Sequence, residues 1–257
     1  MSIHPSAVID PRAEIHQGAQ IGPYVVVDGP VKIGRGTRVM AHAMLMGWAD
    51  IGEGNEIHPG VVLGDAAQDL AYQGEESFLR VGNYNTFREH VQIHRGTAPG
   101  SSTTIGDHNF LMATAHVGHN CTLGSHIVMV NGALLGGYAE VGDRAFISAH
   151  CVVHQFVRVG ELSLMRGLSG TSRDVPPYAV IDWQHRVRGV NVVGMKRAGF
   201  DEARIRPVKE AFRILFRKGR NLSLAIDELE SHLPFTQEVS RVLDFIKSSK
   251  RGVCFGD

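Results

Sequence analysis

His119, Gly137 and Gln155 lie eighteen residues apart, and His116 and His154 flank that series. Brought into one column, these residue types suit acyl transfer. A neutral imidazole takes a proton from an attacking hydroxyl and returns it to a leaving thiol. A glycine N–H with no Cβ in the way faces the oxyanion that develops on the carbonyl. No Ser or Cys nucleophile is required when the acceptor hydroxyl attacks directly. Each of the three is expected at a turn facing out of the fold, so His119 is predicted to be an exposed residue with little part in the core. Most of the fourteen His are expected to be surface turn residues; it is the column that singles out His119, with His116 and His154 nearby.

The rest of the chain decides whether eighteen is a structural period. Every sixth residue from Ile3 to Leu63 is apolar: Ile3, Ile9, Ile15, Ile21, Val27, Ile33, Val39, Leu45, Ile51, Ile57, Leu63. The series returns in frame at Val81, Phe87 and Ile93 and runs on from Ile105 through Leu111, Val117, Leu123, Met129, Leu135, Val141, Ile147, Val153 and Val159 to Met165. Neither a strand period of two nor a helix period of 3.6 accounts for this, whereas a hexapeptide repeat does. Four places after each apolar position the residue is usually small or β-branched (Ala7, Ala13, Ala19, Val25, Val31, Thr37), a second inward site with less room. Cys121 and Cys151 fall there and read as fillers rather than nucleophiles. Three six-residue units make a triangular coil, and stacked coils bury the apolar positions in one column. At the usual strand spacing the prism is roughly 43 Å long.

Two stretches depart from the pattern. Residues 64–78 place Asp69 and Glu75 where apolar residues are due, and residues 94–104 place Pro99 there. Both are predicted to be loops that bulge from the prism, and such loops often carry function. After Met165 the repeat fades, and Pro176–Pro177 is expected to end it. From Asp201, a plausible N-cap, the period is helical: Ile205, Val208, Phe212 and Leu215 share one face. Two shorter helices are expected near 222–233 and 236–248. Residues 196–220 hold nine Lys/Arg against three Asp/Glu. Arg206, Lys209, Arg213, Arg217 and Arg220 lie on a common face, either a solvated helix surface or a dock for an acidic partner. The predicted organisation is a mainly β parallel β-helix over 1–190 and a C-terminal helical domain over 191–257.

Composition narrows the function classes. The 26 Lys/Arg balance the 26 Asp/Glu, which argues against nucleic acid as a partner. Three Cys without CxxC give neither a disulfide framework nor a zinc site. No apolar run nears the ~18 residues of a membrane span, and the first residues lack a signal-peptide pattern. A soluble, cytoplasmic protein without stable membrane insertion is expected. No nucleotide-binding glycine loop is present. Because one prism edge is too shallow to enclose a substrate, a homotrimer with clefts between subunits is expected.

Several motifs carry a family resemblance over essentially the whole chain: Gln68-Asp69-Leu70, Ile93-His94-Arg95-Gly96-Thr97, Ala115-His116-x-x-His119, Val153-His154-Gln155-Phe156, Asp174-Val175-Pro176-Pro177-Tyr178, and Gly189-Val190-Asn191 ahead of Gly194-Met195-Lys196-Arg197. The chain resembles the acyl-(acyl-carrier-protein)–UDP-N-acetylglucosamine O-acyltransferases, which begin lipid A synthesis. The resemblance implies a left-handed β-helix, no cofactor or metal, acyl carrier protein as donor and a UDP-sugar as acceptor. It implies His119 as general base and Gly137 as oxyanion donor. Gln68, Asp69, His116, His154, Gln155, His185, Asn191 and Arg197 would bind substrate, Gly167 would set acyl length, and the basic helix would meet the carrier protein. Four positions depart from the family pattern: Asn120 stands for Asp, Ala71 for Lys, Tyr138 for His and Ala198 for Arg. These changes favour, as alternatives, a different acceptor such as a 3-amino sugar nucleotide, or a non-catalytic scaffold. Two further readings are weaker: a prism-type carbonic anhydrase with a three-His zinc site, whose ligand spacing differs, and the N-acyltransferases of the same pathway, whose N-terminal uridine-binding domain is not expected here because repeats begin at Ile3.

Overall fold

The computed structural model describes residues 2–216, 221–232 and 236–256. Short parallel strands, mostly two residues long, stack into three faces of twelve, nine and eight strands. Successive strands along the chain belong to different faces, and each pairs with the strand one coil later: His116 with Leu134, and Leu134 with Val152. The eighteen-residue period is therefore the coil. The sixth-position residues Ile21 through Met165 are buried. Their branched side chains suit a pleated, filled interior, and the small inward sites fit beside them: Ala43, Ala115, Cys121, Ala133 and Cys151 are fully buried.

Three places after each inward apolar residue the backbone enters the left-handed region, at Tyr84, His108, Asn120, His126, Tyr138 and Phe156, with φ of 55–63°. That region is costly for residues other than Gly and Asn. It recurs here because the coil's parallel ladders fix the backbone on both sides of each turn.

The small inward site also holds a polar ladder. Asn55 Oδ1 accepts from the backbone N–H of Asn85 at 2.9 Å, Asn85 Oδ1 from Asn109 at 2.8 Å, and Asn109 Oδ1 from Ile127 at 2.8 Å. All three Asn are buried, and each amide satisfies a backbone donor of the next coil.

The parallel stack continues past Met165. Leu164 and Met165 pair with Val180 and Ile181, sixteen residues later rather than eighteen. The Pro176–Pro177 segment thus shortens the last coil instead of ending the stack. The strand Arg186–Val190 then turns back antiparallel, and the terminal strand Phe255–Gly256 adds beside it.

Among the described residues four helices follow the prism: α1 (Val192–Arg197), α2 (Glu202–Leu215), α3 (Leu222–His232) and α4 (Gln237–Lys247). Asp201 caps α2, accepting from Arg204 N–H. Ile205, Val208, Ala211, Phe212 and Leu215 are its buried stripe. The two prism ends differ. Tyr178, Met195 and the helices cover the C-terminal end, whereas Ile3, Ile9 and Ile15 at the other are only partly buried.

Candidate active site

His119 and Gly137 occupy equivalent turns one coil apart, with Tyr138 N–H bonded to His119 O and Phe156 N–H to Gly137 O. A Cβ on Gly137 would lie 2.5 Å from His119 Nε2, so the glycine makes room for the imidazole. Gly136 and Tyr138 spend their N–H groups on Val153 O and His119 O, while the Gly137 N–H makes no backbone hydrogen bond. The turn thus leaves a backbone donor beside the His119 imidazole.

His119 is not, however, an exposed turn residue. It is 7% exposed, because the two aperiodic loops fold over this edge. They are clipped to each other: Ser77 Oγ donates to Gly96 O, and the Arg95 guanidinium donates to Gly64 O and the Tyr72 hydroxyl. The first loop brings Asp69 Oδ2 to 3.8 Å from His119 Nε2. The second brings Thr97, whose N–H and Oγ1 both lie 3.0 Å from Asn120 Oδ1. Asn120 Oδ1 is also 3.1 Å from His119 Nδ1. Tyr138 packs edge-on against the His119 ring, with centroids 5.3 Å apart, and stacks on Phe156.

His116 stands on the adjoining strand, 5.3 Å from the His94 ring. Burial above all, then the neighbouring His94 and His119, push its imidazole down to about 4. It is therefore a neutral hydrogen-bonding group at physiological pH, not a cation. His94 Nδ1–H donates to Ala66 O at 2.7 Å, and its buried Nε2 has no partner. Burial raises the Cys121 thiol to about 12 and the Cys254 thiol to about 11, which removes both as nucleophiles. Among the described residues no cluster of three His, Cys, Asp or Glu could hold a metal ion.

The remaining predicted residues divide. Gln68 and Gln155 are exposed, Gln155 in the same column as His119. His154 is exposed and contacts Arg251 of the C-terminal tail at 3.4 Å. His185 bonds Thr171 Oγ1 at 3.1 Å. Asn191 caps α1 and donates to Leu162 O. With Arg197 it lines a cavity of about 190 Å³. A Cβ on Gly167 would meet only Ala149 O, at 3.6 Å. Arg206 and Arg213 are exposed on α2, and Lys209 pairs with Glu202 at 3.2 Å; Arg217 and Arg220 lie outside the described residues. Cavities of about 690 and 680 Å³ lie elsewhere, and His119, Asp69 and Gly137 line neither. Sequence reasoning did not single out Thr97 or Thr103, whose hydroxyl accepts the Asn120 N–H at 2.7 Å. For Thr97 the signal was its place in the Ile93–Thr97 motif.

Comparison with known proteins now bears on this site. An acyl-(acyl-carrier-protein)–UDP-N-acetylglucosamine O-acyltransferase of Myxococcus xanthus is 47% identical over 253 residues, covering 98% of each chain. The chain belongs to this O-acyltransferase family. A second member, from Halorhodospira halophila, is 42% identical over 98% of both chains. Residues 174–254 match the family described as Udp N-acetylglucosamine O-acyltransferase, Domain 2, and residues 30–65 match Bacterial transferase hexapeptide (six repeats). Among solved structures, the UDP-N-acetylglucosamine acyltransferase of Francisella novicida superimposes with a TM-score of 0.93 at 33% identity, covering 99% of this chain and 94% of that one. The enzyme from Bacteroides fragilis gives 0.92 at 38%, covering 98% and 99%. The prism is accordingly the left-handed parallel β-helix of this O-acyltransferase family.

Proposed function

We propose that this chain moves a 3-hydroxyacyl group from acyl carrier protein to the 3-hydroxyl of UDP-N-acetylglucosamine, the first step of lipid A biosynthesis. The observation that carries the reading is the pairing of His119 Nε2 with the unspent Gly137 N–H, in a chain similar over its length to named O-acyltransferases. His119 Nε2 takes the proton of the sugar hydroxyl as its oxygen attacks the thioester carbonyl. The Gly137 N–H holds the oxyanion. Collapse expels the carrier thiolate, which regains the proton from His119, leaving ester and thiol. Asp69 and neutral His116 orient the sugar. The purified protein, given 3-hydroxyacyl carrier protein and UDP-N-acetylglucosamine, should yield the O-acylated sugar nucleotide by mass spectrometry; no transfer to it would overturn the reading. Asn120 favours a second acceptor, since an amine demands less of a base whose partner is neutral. Equimolar competition with the 3-amino analogue separates the two.

The working unit in this reading is a cytoplasmic homotrimer. His185, bonded to Thr171, and Arg197, in the cavity beside Asn191, are apart from His119 in one chain, so a neighbouring copy supplies them. Leu70, beside Asp69 at the tip of the first loop, is fully exposed and has an apolar face for that neighbour. Light scattering that gives a monomer at micromolar concentration would end this arrangement. The carrier protein, being acidic, docks on Arg206, Lys209 and Arg213. Arg206→Glu with Arg213→Glu should raise KM for the carrier several-fold and leave the sugar KM unchanged, with the effect weakened by salt. No described helix is long and apolar enough to cross a membrane.

A further inference from the structure

Asn120 is the pivot of a network whose proton directions can be worked out from one unambiguous donor. The backbone N–H of Thr97 points at the Asn120 side chain from 3.0 Å. A peptide N–H only donates, so the amide atom facing it is the oxygen. That oxygen only accepts. The Thr97 hydroxyl, also 3.0 Å from it, must therefore donate to it, and must use a lone pair for the Tyr138 hydroxyl 3.0 Å away. Tyr138 must then donate. By the same logic, His119 Nδ1, 3.1 Å from Asn120 Oδ1, must carry its hydrogen. One sequence of bonds results: Tyr138 O–H to Thr97 Oγ1, Thr97 O–H to Asn120 Oδ1, and His119 Nδ1–H to the same oxygen. Thr97 and His119 are 8% and 7% exposed, so water does not readily replace a lost partner and the directions are enforced.

We propose that Thr97 and Tyr138 are positioning residues that act through Asn120 to lock His119 in its Nδ1–H tautomer, reserving Nε2 as the base. Asn120 is held for this from its other side, where its N–H donates to the buried Thr103 hydroxyl and its backbone sits at φ 59°. An amide can adopt either orientation, and the mirror orientation would put an NH2 against Nδ1 and select the wrong tautomer. A carboxylate has no such ambiguity. Thr97 removes it by presenting its N–H and its hydroxyl to one amide atom, and the Tyr138 hydroxyl fixes the direction of the second, with the loop that carries Thr97 as the selector. The groups facing the ring from other elements are Tyr138, edge-on at 5.3 Å between centroids, Asp69, 3.8 Å from Nε2, and neutral His116.

The proposal rests on His119 serving as base in the reading above, but its first test does not need turnover. In protein labelled with ¹⁵N-histidine, the His119 resonance, assigned by its loss in His119→Ala, should show a protonated Nδ1 and a bare Nε2. The opposite tautomer, or an equal mixture, would overturn the proposal whatever the activity. Thr97→Val should give a mixture, with kcat lowered by roughly 10- to 100-fold and the sugar KM little changed. Thr97→Ser should restore both. Tyr138→Phe keeps the ring and loses one donor, with an expected fall of about 3- to 10-fold. Asn120→Asp supplies a charge that holds the imidazolium. Its low-pH limb of kcat/KM should move to higher pH, and in that background Thr97→Val should cost less than in the parent. Thr97→Val with normal kcat and an unchanged ¹⁵N signature would overturn the proposal, showing that the backbone N–H at residue 97 orients the amide without the hydroxyl or Tyr138.

Discussion

Two edges of the prism use the same turn for opposite ends. On the edge that carries Asn83, Asp107, Ser125 and Asp143, each turn side chain reaches back one coil. Asp107 Oδ1 accepts from Asn83 N–H at 2.6 Å, Ser125 Oγ from Asp107 N–H at 3.0 Å, and Asp143 Oδ1 from Ser125 N–H at 2.8 Å. On the other edge the equivalent positions are His119, Gly137 and Gln155. There Gly137 has no side chain, and no side chain takes its own N–H. The neighbouring turn position repeats the contrast: Tyr84, His108 and His126 stack in the open, while Asn120 and Tyr138 lie under the Thr97 loop. Polar side chains close the turns of the first edge, whereas the second leaves the Gly137 turn unclosed and lays the loops over it.

The sharpest way to break this comparison is at the base. His119→Ala should lower kcat by on the order of 10²–10⁴. Because the residue is buried, the melting temperature should fall as well. Full activity would move the base to His116. Next is the open rung: Gly137→Ala puts a methyl where His119 Nε2 sits and should lower kcat about 10²–10³-fold. Normal kcat there would show that His119 does not need the space the glycine leaves. The matching change on the closed edge is Asp107→Ala, expected to cost about 1–3 kcal/mol of stability in denaturant titration while leaving kcat alone; a kinetic defect without a stability loss would erase the distinction between the edges. The smallest effect concerns His116. The unfolded chain takes up this proton near the usual 6.5, the folded chain only near 4. Stability is thus complete above pH 6.5 and declines as pH falls toward 4, by on the order of 2 kcal/mol. His116→Gln should flatten that slope, and an unchanged slope would place the acid sensitivity elsewhere.

These contrasts also mark what the sequence could reveal. The period of six placed His119 and Gly137 in one column, because parallel pairing turns sequence separation into height. It placed both loops, because Asp69, Glu75 and Pro99 fall where apolar residues belong. It did not reveal that the loops bury His119: an aperiodic segment carries no register, so its landing place is a matter of tertiary contacts such as Arg95 with Tyr72. The same limit hid Thr97. The shortened last coil was hidden by Pro176–Pro177, whose local preference against strand pairing was overridden by the prism beneath it.

The half-exposed Ile3, Ile9 and Ile15 leave the prism with one end finished and one end open. In a stack where each coil touches only its neighbours, loss of order travels as a front, and its cost resets at every layer. The front starts at the uncovered isoleucines, since the far end is held by Tyr178, Met195 and the helices. Hydrogen exchange should then read the chain like a fuse burning from one tip. The strand His116–Val117 is the sixth on its face from that tip, deep enough that the fraying end can flicker without disturbing His119.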